Sequence, residues 1–268
     1  MIDFHNHILP NVDDGSKSMD MSLLMFEYAF KQGITDVVNT VHYQHPKVED
    51  KTITFEIINE KISEMQKILY ESNILINLHI GSEVFYLPNL LDIINDPLAT
   101  FGNKRYMLIE FHPENIPLSH KEQFFDLKMK GITPIIAHPE RYRQVQENIY
   151  LVSEWLESGC LVQVDAGSPL GFLGKRSKLI SMEIIKNNWC QIIGSDAHDN
   201  NHRNFCLKES IEYINQFTGE DKSYLVKENP KKILNGEIVN IDIDYPDSIK
   251  KTNVFYNLRR KIGWEKKI

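Results

Sequence analysis

Cysteine is scarce in this chain, and none of it is paired. Cys160, Cys190 and Cys206 are widely spaced and form no CxxC, which excludes a disulfide framework and fits a reducing compartment. Long apolar runs are missing: no stretch approaches the ~20 residues that a membrane helix needs. A basic n-region with an apolar h-region is missing as well, since Asp3 and His5 stand at the start, so no secretory signal is expected. The expected location is cytoplasmic, with peripheral membrane association at most. Basic excess is also lacking, and the net charge of −7 argues against nonspecific nucleic-acid binding. That sign is uneven, because residues 247–268 carry seven basic residues against two acidic ones, about +5 by simple counting. There is no internal repeat and no linker. The expected organisation is a barrel-sized domain over residues 1–236, followed by a basic extension over 237–268 that is not an independent domain.

What is present alternates. Met19, Leu23, Phe26 and Phe30 share one helical face, predicting a helix over 18–32 that Ser18 caps and Gly33 stops. The run ITDVVNTVH predicts a strand closing on His42. A helix over 52–70 follows, and then ILINLHIGSE, a strand ending on Glu83. A short helix near 87–94 and a turn at Asp96-Pro97 precede KRYMLIEF, which carries Glu110. Helices are expected over 121–130, 148–158, 178–187 and 203–216, with a short turn of helix over 231–234. Between them lie ITPIIAH, ending on His138, then CLVQVDAG, then CQIIGSDAH with Asp196 and His198. Strand and helix recur about seven times, and continuous apolar strands point to a buried parallel sheet. Six of the seven strands end on His, Asp or Glu. In a closed α/β barrel the strand C-termini share one face, where the active site sits. The pattern predicts a multinuclear metal site there.

His5 and His7 open that set. Residues i and i+2 of a strand share a face, and paired imidazoles near carboxylates suit Zn, Mn or Fe. Asp13 and Asp14 follow, with one of the two expected to be a ligand. His42 is favoured over His45, which stands before Pro46 and reads as a loop residue. Of Glu83 and Glu110, one is expected to bridge two cations. His138 lies in AHPERY, and Asp196 with His198 in GSDAH. First and last strands are neighbours in a closed barrel, so the HxH and DxH motifs should meet. His79 reads as a core or interior histidine, and His112, His120 and His202 as surface loop residues. Arg141 and Arg203 follow His138 and His198 closely, and their planar forks suit an anionic substrate.

Other phosphoryl chemistries fail on spacing. Six residues beyond each cysteine stand Ala166, Asp196 and Glu212, none of them the arginine of a thiolate phosphate cradle. GFLGKRS lacks the first P-loop glycine, which is Pro169 here. The DID at Asp242–Asp244 has no partner motif.

The opening HNH, His42, Glu83, Glu110, HPERY and SDAH resemble the PHP (polymerase and histidinol phosphatase) superfamily over nearly the whole chain to Gly236. MIDFHNHILPNVDDG, IEFH, AHPERY and SDAH followed by Arg203 are most similar to the manganese-dependent protein-tyrosine phosphatases of bacterial capsule and exopolysaccharide operons. The resemblance implies a distorted seven-stranded βα barrel, TIM-like, holding three divalent ions, Mn foremost with Fe or Zn as alternatives. One ion would take His5, His7 and Asp196, sharing Glu83 with a second that takes Glu110 and His138. The third would take Asp14, His42 and His198, and Arg141 with Arg203 would hold phosphate. The implied substrate is phosphotyrosine on the tail of a tyrosine autokinase that controls polysaccharide export. The expected reaction is in-line attack by a metal-bound hydroxide.

The chain departs from that pattern in two places. Tyr43-Gln44-His45 stands where family members are often basic, and the basic extension could meet an acidic partner, an anionic membrane or a second subunit. Two rival readings stand beside the phosphatase. One is another phosphoesterase of the superfamily, acting on histidinol phosphate or a nucleic-acid end. The other is a noncatalytic metal-stabilised module that binds a kinase tail.

Overall fold

The computed structural model describes residues 1–48 and 53–241. The DID sequence and the basic extension from residue 242 onward lie outside the described residues. In chain order the elements are β1 (Ile2–Asp3), α1 (Met19–Lys31), β2 (Asp36–Tyr43), α2 (Phe55–Glu71), β3 (Asn77–Phe85), β4 (Tyr106–Glu110), α3 (His120–Met129), β5 (Thr133–Ala137), α4 (Arg143–Glu147), α5 (Tyr150–Glu157), β6 (Leu161–Asp165), α6 (Gly167–Leu170), α7 (Lys175–Lys186), β7 (Ile192–Gly194), α8 (Leu207–Thr218) and α9 (Glu228–Leu234). The seven strands are all parallel and lie side by side in sequence order, the α/β barrel layout expected.

Strand parity sorts the core into two layers. Val37, Met107, Ile109, Ile136, Val162 and Val164 pack outward with the helices. Val38, Leu108, Ile135 and Leu161 point the other way, into an inner cluster with Ile2, Phe4 and Ile192. Ile233 of α9 and Val239 join that inner cluster, and the Tyr106 hydroxyl at the start of β4 donates to the Glu237 carbonyl. Two residues at a time along the inner rows, Val38 leads to Thr40 and His42, Leu108 to Glu110, and Leu161 to Gln163 and Asp165. Apolar residues therefore fill one end of the barrel, and ionisable ones line its C-terminal mouth.

β1 and β7 do not form a ladder, so the barrel is distorted at this seam. A single parallel bridge, Asn6 with Ala197, closes it, flanked by Asp196 N–H to the His5 carbonyl at 2.7 Å and His7 N–H to the Ala197 carbonyl at 2.8 Å. The HxH and DxH motifs therefore meet across the closure. The buried Asp3 carboxylate pins it further, accepting from Ser195 N–H at 3.1 Å, His5 N–H at 3.2 Å and the Asn6 amide at 3.1 Å. Burial pushes this carboxyl up to about 6 despite those donors.

Some expectations are corrected. Residues 87–94 form successive turns instead of a helix. α4 and α6 have five and four residues, too few for a visible period. α8 starts at Leu207 instead of 203, since the Arg203 carbonyl turns back to accept from His198 N–H at 2.7 Å. Ser18 does cap α1, its hydroxyl accepting from Met21 N–H at 3.2 Å.

At the end of β7 a glycine is obligatory. A Cβ on Gly194 would stand 2.6 Å from the His5 Cβ and 2.9 Å from Gln163 Nε2. Gly194→Ala is expected to lower unfolding free energy by about 1–3 kcal/mol through overpacking at the seam. Urea denaturation measures it, and an unchanged midpoint would show that His5 does not abut this strand.

Candidate metal centre

The C-terminal mouth collects His5, His7, Asp14, His42, Glu83, Glu110, His138, Asp196 and His198. Register explains part of this, because His42 pairs directly with Glu83 across β2 and β3, and Glu110 sits beside Phe85 across β3 and β4. His138 and Asp196 lie just past their strands with φ of 30° and 48°, left-handed values that bulky L residues rarely adopt. Backbone strain of this kind concentrates at functional positions.

Hydrogen bonds behind the imidazoles set their tautomers. His5 Nδ1 faces Gln163 Oε1 at 2.9 Å, and the Gln163 amide is oriented by its own bond to the Val164 carbonyl at 3.1 Å. His7 Nδ1 faces Asp13 Oδ2 at 2.8 Å, and His198 Nδ1 faces the Asp196 carbonyl at 2.8 Å. Each Nδ1 therefore carries the proton, and each Nε2 presents a lone pair, as in metal-ligating histidines.

The lone pairs converge. His5 Nε2 and His7 Nε2 are 3.3 Å apart. Glu83 Oε2 lies 3.3 and 3.4 Å from them, and Asp196 Oδ1 lies 3.5 and 3.4 Å away. Deeper in the mouth, His138 Nε2 stands 2.8 Å from Glu83 Oε1 and 3.8 Å from Glu110 Oε1. On the opposite side, Asp14 Oδ1 lies 3.3 Å from His42 Nε2 and 3.2 Å from His198 Nε2, with His7 Nε2 within reach of that group. Glu83 thus turns one oxygen to each of two clusters, the arrangement a bridging carboxylate needs. Acceptors buried face to face are costly unless positive charge lies between them, and Glu110 Oε2 is buried with no hydrogen-bond partner. Mixed imidazole and carboxylate donors at this spacing fit divalent transition metals.

The electrostatics agree. Burial pushes Glu83 and Asp196 up, yet both are held well below the usual carboxylate range, Glu83 by His5 and His138, Asp196 by His198 and Arg141. Asp14 is likewise pulled down by His198 and His42 against its burial. Glu110 moves the other way, up to about 8, through burial and then the Glu83 charge. Burial and Arg141 bring His138 down to about 4.

Arg141 and Arg203 converge on Asp196. Arg141 Nη1 and Arg203 Nη2 both donate to Asp196 Oδ2, Arg203 at 2.6 Å, while Asp196 Oδ1 faces the histidines.

Three residues take places in the site that the sequence did not assign to them. Asp13 is not in the cluster but behind it, holding His7 and accepting from His42 N–H at 3.1 Å. Asp165 ends β6 with its Oδ2 3.5 Å from Arg141 Nη1. Its own N–H donates to the buried Glu140 at 2.9 Å, which also accepts from Ser168 at 2.7 Å. The strand-end rule that marked the other strands would have marked Asp165 too. His45, expected to be a plain loop residue, stacks on His42 with ring centroids 4.3 Å apart. His79 is not interior but half-exposed, paired with Asp36 at 2.9 Å. His120 is not a surface loop residue: it is buried at the start of α3, where its Nδ1 donates to the Pro117 carbonyl and its Nε2 accepts from Trp155. His112 and His202 are exposed.

Two outcomes follow for stability. Asp13 is held at about 2 by His7 and His42 against its burial, below the ordinary 3.8. A depressed carboxylate stabilises the fold above its ordinary value and ceases to as pH falls through its folded one. Asp13→Asn should therefore lower the stability of metal-free protein by about 2 kcal/mol at pH 7, with the gap to wild type closing between pH 4 and pH 2 in urea titrations. Mn²⁺ at a hundred times its dissociation constant should add about 2.7 kcal/mol, read as a rise in Tm that chelator reverses.

Comparison with known proteins places this geometry. The model of the family described as capsular polysaccharide synthesis, CpsB/CapC, matches residues 1–235. The tyrosine-protein phosphatase YwqE of Bacillus subtilis (strain 168) is 30% identical over 256 residues, covering 95% of this chain and 99% of that protein. The tyrosine-protein phosphatase CpsB of Streptococcus pneumoniae is 28% identical over 246 residues, covering 89% of this chain and 100% of its own. A solved structure from work on YwqE and CpsB, presented as metal-dependent tyrosine phosphatases, superposes with a TM-score of 0.85 at 30% identity, covering 92% of this chain and 99% of that one. A histidinol phosphate phosphatase from Lactococcus lactis, complexed with zinc, L-histidinol and phosphate, shares the fold at a TM-score of 0.52 and 14% identity, over 82% of this chain and 94% of its own. The family match spans all seven strands, and the chain belongs to the capsular polysaccharide synthesis CpsB/CapC family.

Proposed function

We propose that the chain is a metal-dependent protein-tyrosine phosphatase, acting on phosphotyrosine in the cytoplasmic tail of a tyrosine kinase that governs polysaccharide export. The observation that carries this reading is the convergence of ligand-form imidazoles and carboxylates beside two guanidinium groups, in a family whose relatives are named tyrosine-protein phosphatases. Among the described residues, no helix is long and apolar enough to cross a membrane, which suits an enzyme that meets its substrate in the cytoplasm.

Three ions, with Mn²⁺ as the native metal, fit the donor sets. His5, His7 and Asp196 would hold one, Glu110 and His138 a second, with Glu83 shared between them, and Asp14, His42 and His198 a third. When bound, the cations supply Lewis acidity, polarising phosphoryl oxygens and making water acidic enough to react near neutral pH.

The remaining work falls to the chain's own side chains. Arg141 and Arg203 bind the phosphate oxygens with the N–H groups not given to Asp196, and offset charge as it develops. Asp165 holds the Arg141 fork from behind. Asp13 and Gln163 keep His7 and His5 in the tautomer that leaves Nε2 free. Tyrosinate, whose conjugate acid has a pKa of about 10, leaves without a strong general acid.

The test is phosphate release from a phosphotyrosine peptide by Mn-loaded protein, with histidinol phosphate and single-stranded DNA as competing substrates. Chelation, Asp196→Ala and His198→Ala are each expected to lower kcat/KM by at least about 100-fold. Full activity under chelation or in both variants would sink the metal mechanism. Preference for histidinol phosphate or DNA would reassign the substrate.

A further inference from the structure

The ring of His45 is held in the opposite sense to those of its neighbours. At His5, His7 and His198 an acceptor faces Nδ1, so Nε2 is a lone pair. At His45, Nδ1 instead accepts from the backbone N–H of Lys47 at 3.2 Å, which places the proton of the neutral ring on Nε2. That N–H points at Glu110 Oε2 from 3.7 Å, outside hydrogen-bonding range. His42, His45 and Glu110 bring ligand atoms within 4.8 Å of one another. The Lys47 N–H on Nδ1 nevertheless leaves Nε2 protonated in the neutral ring, which makes His45 a poor ligand there and leaves its N–H available to something that enters the mouth.

The surrounding loop fixes this orientation. Gln44 adopts φ of 49°, turning the chain back over the mouth, and its side-chain amide donates to the Phe85 carbonyl at 2.9 Å and pairs with Asn89. His45 stacks on His42 and meets Phe85 edge to face, with centroids 5.0 Å apart and an interplanar angle of 81°. The side chain is 10% exposed, close to the values for Glu110 and His198, so its ring edge reaches the mouth alongside the ligands. Aromatic walls on the outer side and ligand atoms on the inner side suit an aryl phosphate whose ester oxygen lies between them.

We propose that His45 is a catalytic hydrogen-bond donor, its Nε2–H bound to the ester oxygen of the aryl phosphate, with Phe85 against the aryl ring. As water oxygen bonds to phosphorus and gives a proton to solvent, the bond from phosphorus to the phenolic oxygen breaks and its electron pair stays on that oxygen. The Nε2–H stabilises the phenolate without transferring its proton, and the phenolate is then protonated by solvent. The neutral donor occupies the stretch after His42 where a basic residue was expected. This assignment rests on the phosphatase reading above.

The experiment compares Mn-loaded full-length wild type, His45→Ala and His45→Gln on p-nitrophenyl phosphate, a good leaving group, and on phenyl phosphate, a poor one. Metal content is measured on the same samples. His45→Ala should lose on the order of 100-fold in kcat on phenyl phosphate and far less on p-nitrophenyl phosphate. Metal content should match wild type, and His45→Gln, which keeps an N–H at similar reach, should recover part of the loss. Equal losses on both substrates, no loss on either, or a fall in bound metal would overturn the assignment. Wild type inactive on both esters and on phosphotyrosine peptide would overturn the phosphatase reading with it; active wild type with parallel losses overturns the His45 assignment alone.

Discussion

Lone pairs pointing at lone pairs, inside a protein, set the terms for everything around them. His5 Nε2 and His7 Nε2 lie 3.3 Å apart, and each lies 3.3–3.5 Å from Glu83 Oε2 and Asp196 Oδ1, with little solvent access. Such a cluster is unfavourable unless positive charge enters it. The mouth answers with two guanidinium groups on Asp196 Oδ2 and with acceptors behind the imidazoles. The raised pKa values of His5 and His7, where carboxylates outweigh burial, express the same demand. A proton and a metal ion compete for the same lone pairs, so metal binding at this site releases protons.

Support for the cluster comes from far away in the chain. Gln163, at the inner face of β6, orients His5 across 158 positions. Glu140 is buried beside Asp165, and burial with the Asp165 charge pushes it up to about 8. Asp165 itself is pushed up to about 6 by burial and by Asp196. Asp165 and Asp196 flank Arg141, so the guanidinium is fixed by charge on two sides and not by packing alone. The left-handed residues His138 and Asp196 show that the backbone, too, departs from its comfortable range in order to aim ligands.

Much of this was legible beforehand. Strand periodicity and the repeated ionisable residue at strand ends identified the barrel and its mouth, because parity and strand direction are local properties of the chain. His42, Glu83, Glu110 and His138 could be picked out on those grounds, whereas Asp14 was chosen over Asp13 only through the family resemblance. What lay hidden depended on partners distant in sequence. Nothing in DD says that Asp13 turns away to hold His7 while Asp14 faces the cluster, and nothing in YQHP says that Lys47 N–H reverses the tautomer of His45. His120 looked like a loop residue because its Trp155 partner lies in another helix. The turns over 87–94 were misread because a few apolar residues between two prolines imitate a helical stripe.

The seam joining β1 to β7 has a consequence for how the molecule comes into being. Asn6 and Ala197, joined by the bridge at the seam, leave the ribosome well apart in time, because β2 to β7 are made between them. A nascent chain, emerging at about 5–20 residues per second, carries the HxH pair for many seconds before its counterpart exists. Contacts of such long sequence separation form late in folding. The mouth can thus be completed only once β7 has been made, and a chain cut before Asp196 lacks one side of it.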